Sequence, residues 1–288
     1  GENLSAFFDY WINGTKLPQL ALERADVISP DEPPGSDGPH RVKGLLSVKD
    51  GPLPARIEMT VETGKDEITK VVTIDAAGAF TLEVDSIPKR LIVDKYGRTA
   101  KANGGRFDIV AFMNDIENTL IVYGTLDDEA GNRDAAEVLQ NRIRTAHANF
   151  DVPVVSDAAA TEEQLRNHHL LLIGRPSANR VTQRFREALP LKFGEQSFEV
   201  DGKVYAHYRS AVVAAGTNPV NPRYSVATVA GLSALATYRA VSKVGYDDFG
   251  VEVKVLPHGD RAKMLVIPPA ELMHEFSDAE RVSKAGTE

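Results

Sequence analysis

The hydrophobic pattern of this chain changes period partway along, and that change constrains the fold more than any single motif. In "ARIEMTVET", Ile57, Met59 and Val61 alternate with Arg56, Glu58 and Thr60, and "AFTLEV" repeats the pattern with Phe80, Leu82 and Val84. Successive side chains of a strand point to opposite faces, so this spacing predicts a sheet with one wet face. "TKVVTID" and "KRLIVD" add two more strands, with Gly64, Gly78 and Gly97 punctuating the turns and no helical period between them. The prediction for 40–105 is a small antiparallel β-sandwich, closed by "ANGG" at 102–105.

Past that point strands and helices alternate. "TLIVYGT" is a compact apolar strand, followed by Ala136, Leu139, Ile143 and Ala146 at helical spacing. "VPVV" and "HLLLIG" predict two further strands, and Thr161 with Gln164 fits a capping box at a helix start. A helix is expected from about Asn179 to Leu189, and Asp201-Gly202 between strand-like runs predicts a tight type I′ hairpin inserted into the domain. "SAVVAAG", "YSVATVAG" and "VEVKV" read as buried strands, with a helix through Leu235 to Val241. Near-continuous apolar strands imply burial on both faces. The expectation for 106–288 is therefore an α/β doubly wound, flavodoxin-like domain with a mainly parallel sheet.

The first 39 residues fit neither pattern. Phe7, Phe8, Tyr10 and Trp11, the only tryptophan, crowd into one short segment, and "SPDEPPGSDGP" at 29–39 holds four prolines and two glycines, the composition of a connector. Such an aromatic cluster needs a cover. The expectation is a tail belonging to a preceding helical domain, joined by a linker, with self-association through the aromatic stretch as the other way to cover it. The Gly-Glu start reads as a segment cut from a longer chain.

Composition excludes several classes. With 42% hydrophobic and 26% charged residues and no long apolar run, nothing predicts a membrane span. A net charge of −8 spread along the chain argues against nucleic acid as a partner. Without cysteine there is no disulfide, thiolate zinc site or cysteine nucleophile, and both a cytoplasmic and an exported location stay open.

In parallel sheets ligands bind at the carboxyl ends of the strands. Thr125, Ser177, Asn179 and Asn218, each expected just after a strand, form the candidate rim of a small-molecule pocket. Asp127, Asp128 and Glu129 stand where a flavin phosphate would lie, so flavin is not expected. Gly231-Leu-Ser233-Ala-Leu235 approaches a serine-hydrolase elbow, followed by Asp247, Asp248, His258 and His274 in triad order. The elbow requires a small residue where Leu235 stands, so Ser233 reads first as a helix N-cap and second as a nucleophile. "HEFSD" at His274 lacks the second histidine of a zinc-protease helix, and adjacent His168 and His169 point to opposite faces of a strand. No metal or cofactor is expected in this segment.

"FFDYWINGTKLPQL", with "PARIEMTVET" and "IPKRLIVDKYGR" after it, resembles the region that follows the catalytic domain in bacterial gluzincin metallopeptidases of the aminopeptidase N type. Phe8, Asp9, Trp11, Gly14 and Pro18 carry the likeness, which covers about residues 4–100, with Lys16 where a glycine is usual. The second half looks like an α/β domain appended to some large bacterial hydrolases. The resemblance implies a non-catalytic, C-terminal scaffold or interaction region. Its partner would be a catalytic domain of the same polypeptide holding zinc on an HExxH motif, and no residue of that site lies in this chain.

Overall fold

The structure, a computed structural model, describes residues 8, 10–14, 16–28, 40–102, 107–146 and 149–277. Phe7, Asp9, the connector at 29–39 and the boundary glycines Gly104 and Gly105 lie outside the described residues. The chain forms two units: Gly1–Gly105 with Pro268–Glu288, and Arg106–Ile267.

In the first unit β1 (Gln19–Ile28), β2 (His40–Lys49) and β5 (Ala79–Val84) form one antiparallel sheet, with β3 (Ala55–Thr63), β4 (Glu67–Ile74) and β6 (Pro88–Val93) in another. Ile57, Met59, Val61, Phe80, Leu82 and Val84 are all buried in the core the two sheets share. The period-two pattern therefore reads the inward faces correctly.

Three features depart from expectation. Residues 19–28, assigned in sequence to the tail and linker, form β1, because Leu20, Ala25 and Val27 supply an inward face that pairs with β2. Burying each large aliphatic side chain contributes about 1.5–3 kcal/mol, which outweighs the irregular alternation around a bulge at Leu22/Arg24. The strand Met273–Glu275, assigned in sequence to the α/β domain, pairs with β6, and Leu272 and Phe276 beside it enter the sandwich core. The outer face of β3 is not wet: Glu58 and Thr60 are buried. Arg98 donates to Glu58 Oε2 at 2.6 Å, and buried Asp94 accepts the N–H groups of Arg98 and Thr99. Charge on that face is thus paired within the chain.

In the second unit β7 (Thr119–Tyr123), α1 (Glu129–Ala146), β8 (Val154–Ser156), α2 (Glu162–Asn167), β9 (His169–Ile173) and α3 (Arg180–Phe185) come first. A small antiparallel sheet of β10 (Lys192–Phe193), β11 (Phe198–Val200) and β12 (Lys203–Tyr205) follows, then β13 (Ala211–Thr217), β14 (Ser225–Gly231), α4 (Ala234–Val241), β15 (Val253–Leu256) and β16 (Lys263–Leu265). The main sheet has the order β16-β15-β13-β14-β9-β7-β8. Its pairings are parallel from β8 to β14 and antiparallel from β14 to β16.

β13 runs against its neighbours for a reason of length. Only residues 218–224 separate it from β14, whereas a parallel crossover needs about a dozen. Helices α1 and α4 cover one face of the sheet through Ala136, Leu139, Ala236 and Ala240; Ala146, expected on that stripe, is exposed and buried Asn132 joins it instead. α2 and α3 cover part of the other face with Leu165, Val181 and Phe185. The inserted hairpin completes that face, packing Phe198, Val200 and Tyr205 over Val212, Ala214 and Val255. Asp201 and Gly202 both have positive φ, 49° and 72°, as a type I′ turn requires.

Candidate functional site

The carboxyl ends of the parallel strands are held by side chains the sequence selects for that purpose. Asn179 caps α3, its Oδ1 accepting the N–H groups of Val181 and Thr182 at 2.9 and 3.0 Å. Its Nδ2 donates to the carbonyls of Val122 and Ile173, both at 3.0 Å, tying β7 to β9. Asp157, just past β8, accepts from Thr125 N–H and Oγ1 at 3.1 and 2.7 Å and from Arg180 N–H at 2.7 Å. The Arg180 guanidinium lies 3.1 Å from the same carboxylate and also donates to Thr125 Oγ1. Gly124 lets the β7 loop cross the β9 loop: a Cβ there would stand 2.2 Å from the carbonyl oxygen of Ala178.

Beside this crossing, a crevice of about 90 Å³ opens between Asp127, Asp128 and Asn132 on one side and Arg175, Ser233 and the start of α4 on another. It is polar and carries charge of both signs. Its size suits waters or one small polar group, well below the roughly 300–1,000 Å³ of organic-ligand pockets. Asp127 and Asp128, from the loop after β7, are the carboxylates that line it.

The four predicted rim residues do not form one rim. Thr125 and Asn179 meet at the carboxyl edge, but their polar atoms are bonded as above. Ser177 is exposed in the turn before α3 and does not line the crevice. Asn218 lies at the opposite edge, because antiparallel β13 delivers its own end to the starts of the parallel strands. There buried Asn218 donates from Nδ2 to the carbonyls of Leu165 and His168 at 2.8 and 3.3 Å, and accepts Val220 N–H at 3.1 Å. It also borders a cavity of about 550 Å³ walled by Leu189, Pro190, Pro219 and Pro222.

Ser233 is an N-cap. Its Oγ accepts Ala236 N–H at 3.3 Å and donates to the Tyr208 carbonyl at 2.8 Å. Its φ of −148° is ordinary extended backbone, not the strained turn of a nucleophile elbow, and Leu235 points outward with half its surface exposed. Of the proposed triad partners, buried Asp248 pairs with Lys254 at 2.6 Å, and His274 belongs to the sandwich unit. "HEFSD" begins on a strand, not a helix, and no group of three metal-ligating side chains occurs among the described residues.

In the aromatic opening, Tyr10 and Trp11 meet edge to face at 4.9 Å. Tyr10 Oη donates to the Asp50 carbonyl, Lys16 pairs with the Asp50 carboxylate, and buried Pro18 accepts Ala102 N–H at 2.8 Å. Phe8, Ile12 and Leu17 stay 51%, 69% and 48% exposed. The segment is thus fastened to the sandwich while much of its apolar surface faces outward.

Two clusters escaped sequence reasoning. The turn before β13 stands at the carboxyl edge, where His207 stacks on His258 from the segment after β15, with centroids 3.9 Å apart and planes within 8°. At the amino edge, His169 Nδ1 accepts from both Ser225 Oγ at 2.7 Å and Ser225 N–H at 2.9 Å, while Nε2 stands 3.8 Å from Asp115. This is a serine–histidine–carboxylate set, but Ser225 and His169 are only 2% and 5% exposed, and the imidazole sits edge to face with Tyr224. Burial pulls the imidazole pKa below the ordinary histidine value, opposed by Asp115 and reinforced by His168. The ring is a neutral acceptor closing the strand ends. The parallel register that pairs Leu170 with Val226 carries this signal, and only a correct β9–β14 pairing reveals it.

No family model matches the chain, and no curated protein matches it significantly.

Proposed function

We propose that this chain is a scaffold and interaction region of a zinc-aminopeptidase-like polypeptide, in which the sandwich braces a catalytic module and the α/β unit serves interaction or substrate access. One observation carries the reading: Phe8, Ile12 and Leu17 expose apolar surface on a segment fastened to the sandwich by Tyr10, Lys16 and Pro18. Fastened apolar surface of this kind is what a neighbouring module covers. The commitment of Thr125, Asn179, Asn218 and Ser233 to internal hydrogen bonds favours the same reading over catalysis by this segment. We further propose that the α/β unit is a flavodoxin-like derivative. The order β8-β7-β9-β14 follows the 2-1-3-4 succession of that fold, and β13 is an antiparallel addition.

The test compares this chain with one extended upstream in its genomic context. The expected result is zinc and aminoacyl-amide hydrolysis in the longer chain alone, with Trp11 emission shifted to the blue by new burial. Stoichiometric zinc and hydrolysis in the present chain would overturn the reading, as would an extended chain that leaves Trp11 emission unchanged. A second reading, a small-molecule-binding α/β domain, draws on the 550 Å³ cavity beside Asn218, whose volume falls in the range of organic ligands. Ligand-dependent shifts in melting temperature, lost when Pro219→Trp fills the cavity, would support it; no shift across anions, sugars and nucleotides would remove it.

A further inference from the structure

The turn that opens β13 links a titratable stack to the wall of the carboxyl-edge crevice. His258, His207 and Tyr208 are layered, the second interval being 4.7 Å, and the Arg209 guanidinium lies 5.3 Å from the Tyr208 ring. Within the turn, Ser210 N–H donates to the His207 carbonyl at 2.8 Å and Arg209 N–H donates to His207 Nδ1 at 3.2 Å. Outward from it, Leu232 N–H donates to the Ser210 carbonyl at 3.0 Å and Ser233 Oγ to the Tyr208 carbonyl at 2.8 Å. His258 N–H reaches Ser210 Oγ at 3.2 Å. Leu232 and Ser233 both line the crevice.

We propose that the His207–His258 stack is an acid-sensitive latch: with neutral rings the turn 207–210 holds the Leu232–Ser233 wall, and protonation releases it. The chemistry is direct. A protonated Nδ1 is a donor and cannot accept Arg209 N–H, and two imidazolium rings repel at stacking distance. The groups facing His207 give no offset. Arg209 on its own turn is cationic, His258 from the segment after β15 is titratable, and Leu232 and Ser233 after β14 carry no charge. Among the described residues no carboxylate forms an ion pair with either ring. Loss of hydration, then His258 and Arg209, accordingly hold the His207 pKa below the usual histidine value. The latch is closed at neutral pH and opens as the solution becomes acidic. His169, also titratable in this unit, lies at the other edge of the sheet and does not touch this turn.

The experiment follows histidine ring signals and amide hydrogen exchange by NMR in the whole chain from pH 8 to pH 5. As His207 titrates, protection of the Leu232 amide, corrected for intrinsic exchange, should fall about tenfold, while amides of β9 keep theirs. His207→Phe retains a ring in the stack without a proton to gain and should make Leu232 protection independent of pH; His258→Phe removes the repulsion between rings but leaves His207 Nδ1 to protonate, and should lessen the acid loss. Protection that stays constant while His207 titrates would overturn the proposal. So would an equal acid loss in both phenylalanine variants.

Discussion

The two edges of the seven-stranded sheet are built from similar residues but are finished differently. At the carboxyl edge, asparagine and aspartate anchors sit below a solvent-open layer that includes Arg175, Ser177, His207, Tyr208 and His258. At the amino edge the comparable set of Asn218, Ser225 and His169 is buried, and Phe107 and Tyr224 pack against the imidazole. Buried polar groups must be fully bonded to be tolerated, whereas exposed ones retain water as an alternative partner. The amino edge is therefore a polar seal. The carboxyl edge is where the molecule keeps chemistry available to solvent.

The largest expected effect breaks this comparison at its crossing points. Gly124→Ala forces a Cβ against the Ala178 backbone and should destabilise the α/β unit by about 3 kcal/mol or more, read from denaturant unfolding. Asn179→Ala should come next, at about 2–3 kcal/mol, since it strips a cap and takes the amide donor from the Val122 and Ile173 carbonyls, of which Ile173 keeps Gly124 N–H. Asn218→Ala at the amino edge should cost slightly less. Equal and negligible losses for both would refute the anchoring role.

Acid acts on both edges, and His169 carries the share of the amino edge. His169 has a folded pKa below its unfolded value near 6.5, so below that value the unfolded chain binds the extra proton first. Its contribution is full above about pH 6.5 and declines as pH falls toward the folded value, with a slope of at most about 1.4 kcal/mol per pH unit. His169→Gln should flatten that segment of the stability curve. Smaller again is Ser233→Ala, which should cost about 1 kcal/mol through loss of the α4 cap. Arg184→Ala, which removes the exposed pair with Glu162 and a guanidinium contact with the Phe185 ring, should cost less than about 1 kcal/mol.

What the sequence reveals depends on how local the determinant is. The capping box forms both of its bonds, Gln164 N–H to Thr161 Oγ1 at 3.2 Å and Thr161 N–H to Gln164 Oε1 at 2.9 Å, because four adjacent residues contain all of it. The Asp201-Gly202 turn is legible for the same reason. Pairing across the chain is not: β1 and the strand Met273–Glu275 join the sandwich through partners the local pattern does not name. The direction of β13 was readable from its short return to β14, yet its buried strands look alike in either direction. That one reversal exchanges the edges, sending Asn218 away from the expected rim and bringing His207 to it.

Reaction of the whole chain with a fluorophosphonate probe, followed by peptide mass spectrometry, tests the central claim that these polar groups serve structure. The account predicts no modification of Ser233, whose hydroxyl is held by the Tyr208 carbonyl, and none of Ser225, buried and bonded to His169. Stoichiometric labelling at either serine, abolished by its alanine variant in a folded protein, would contradict it.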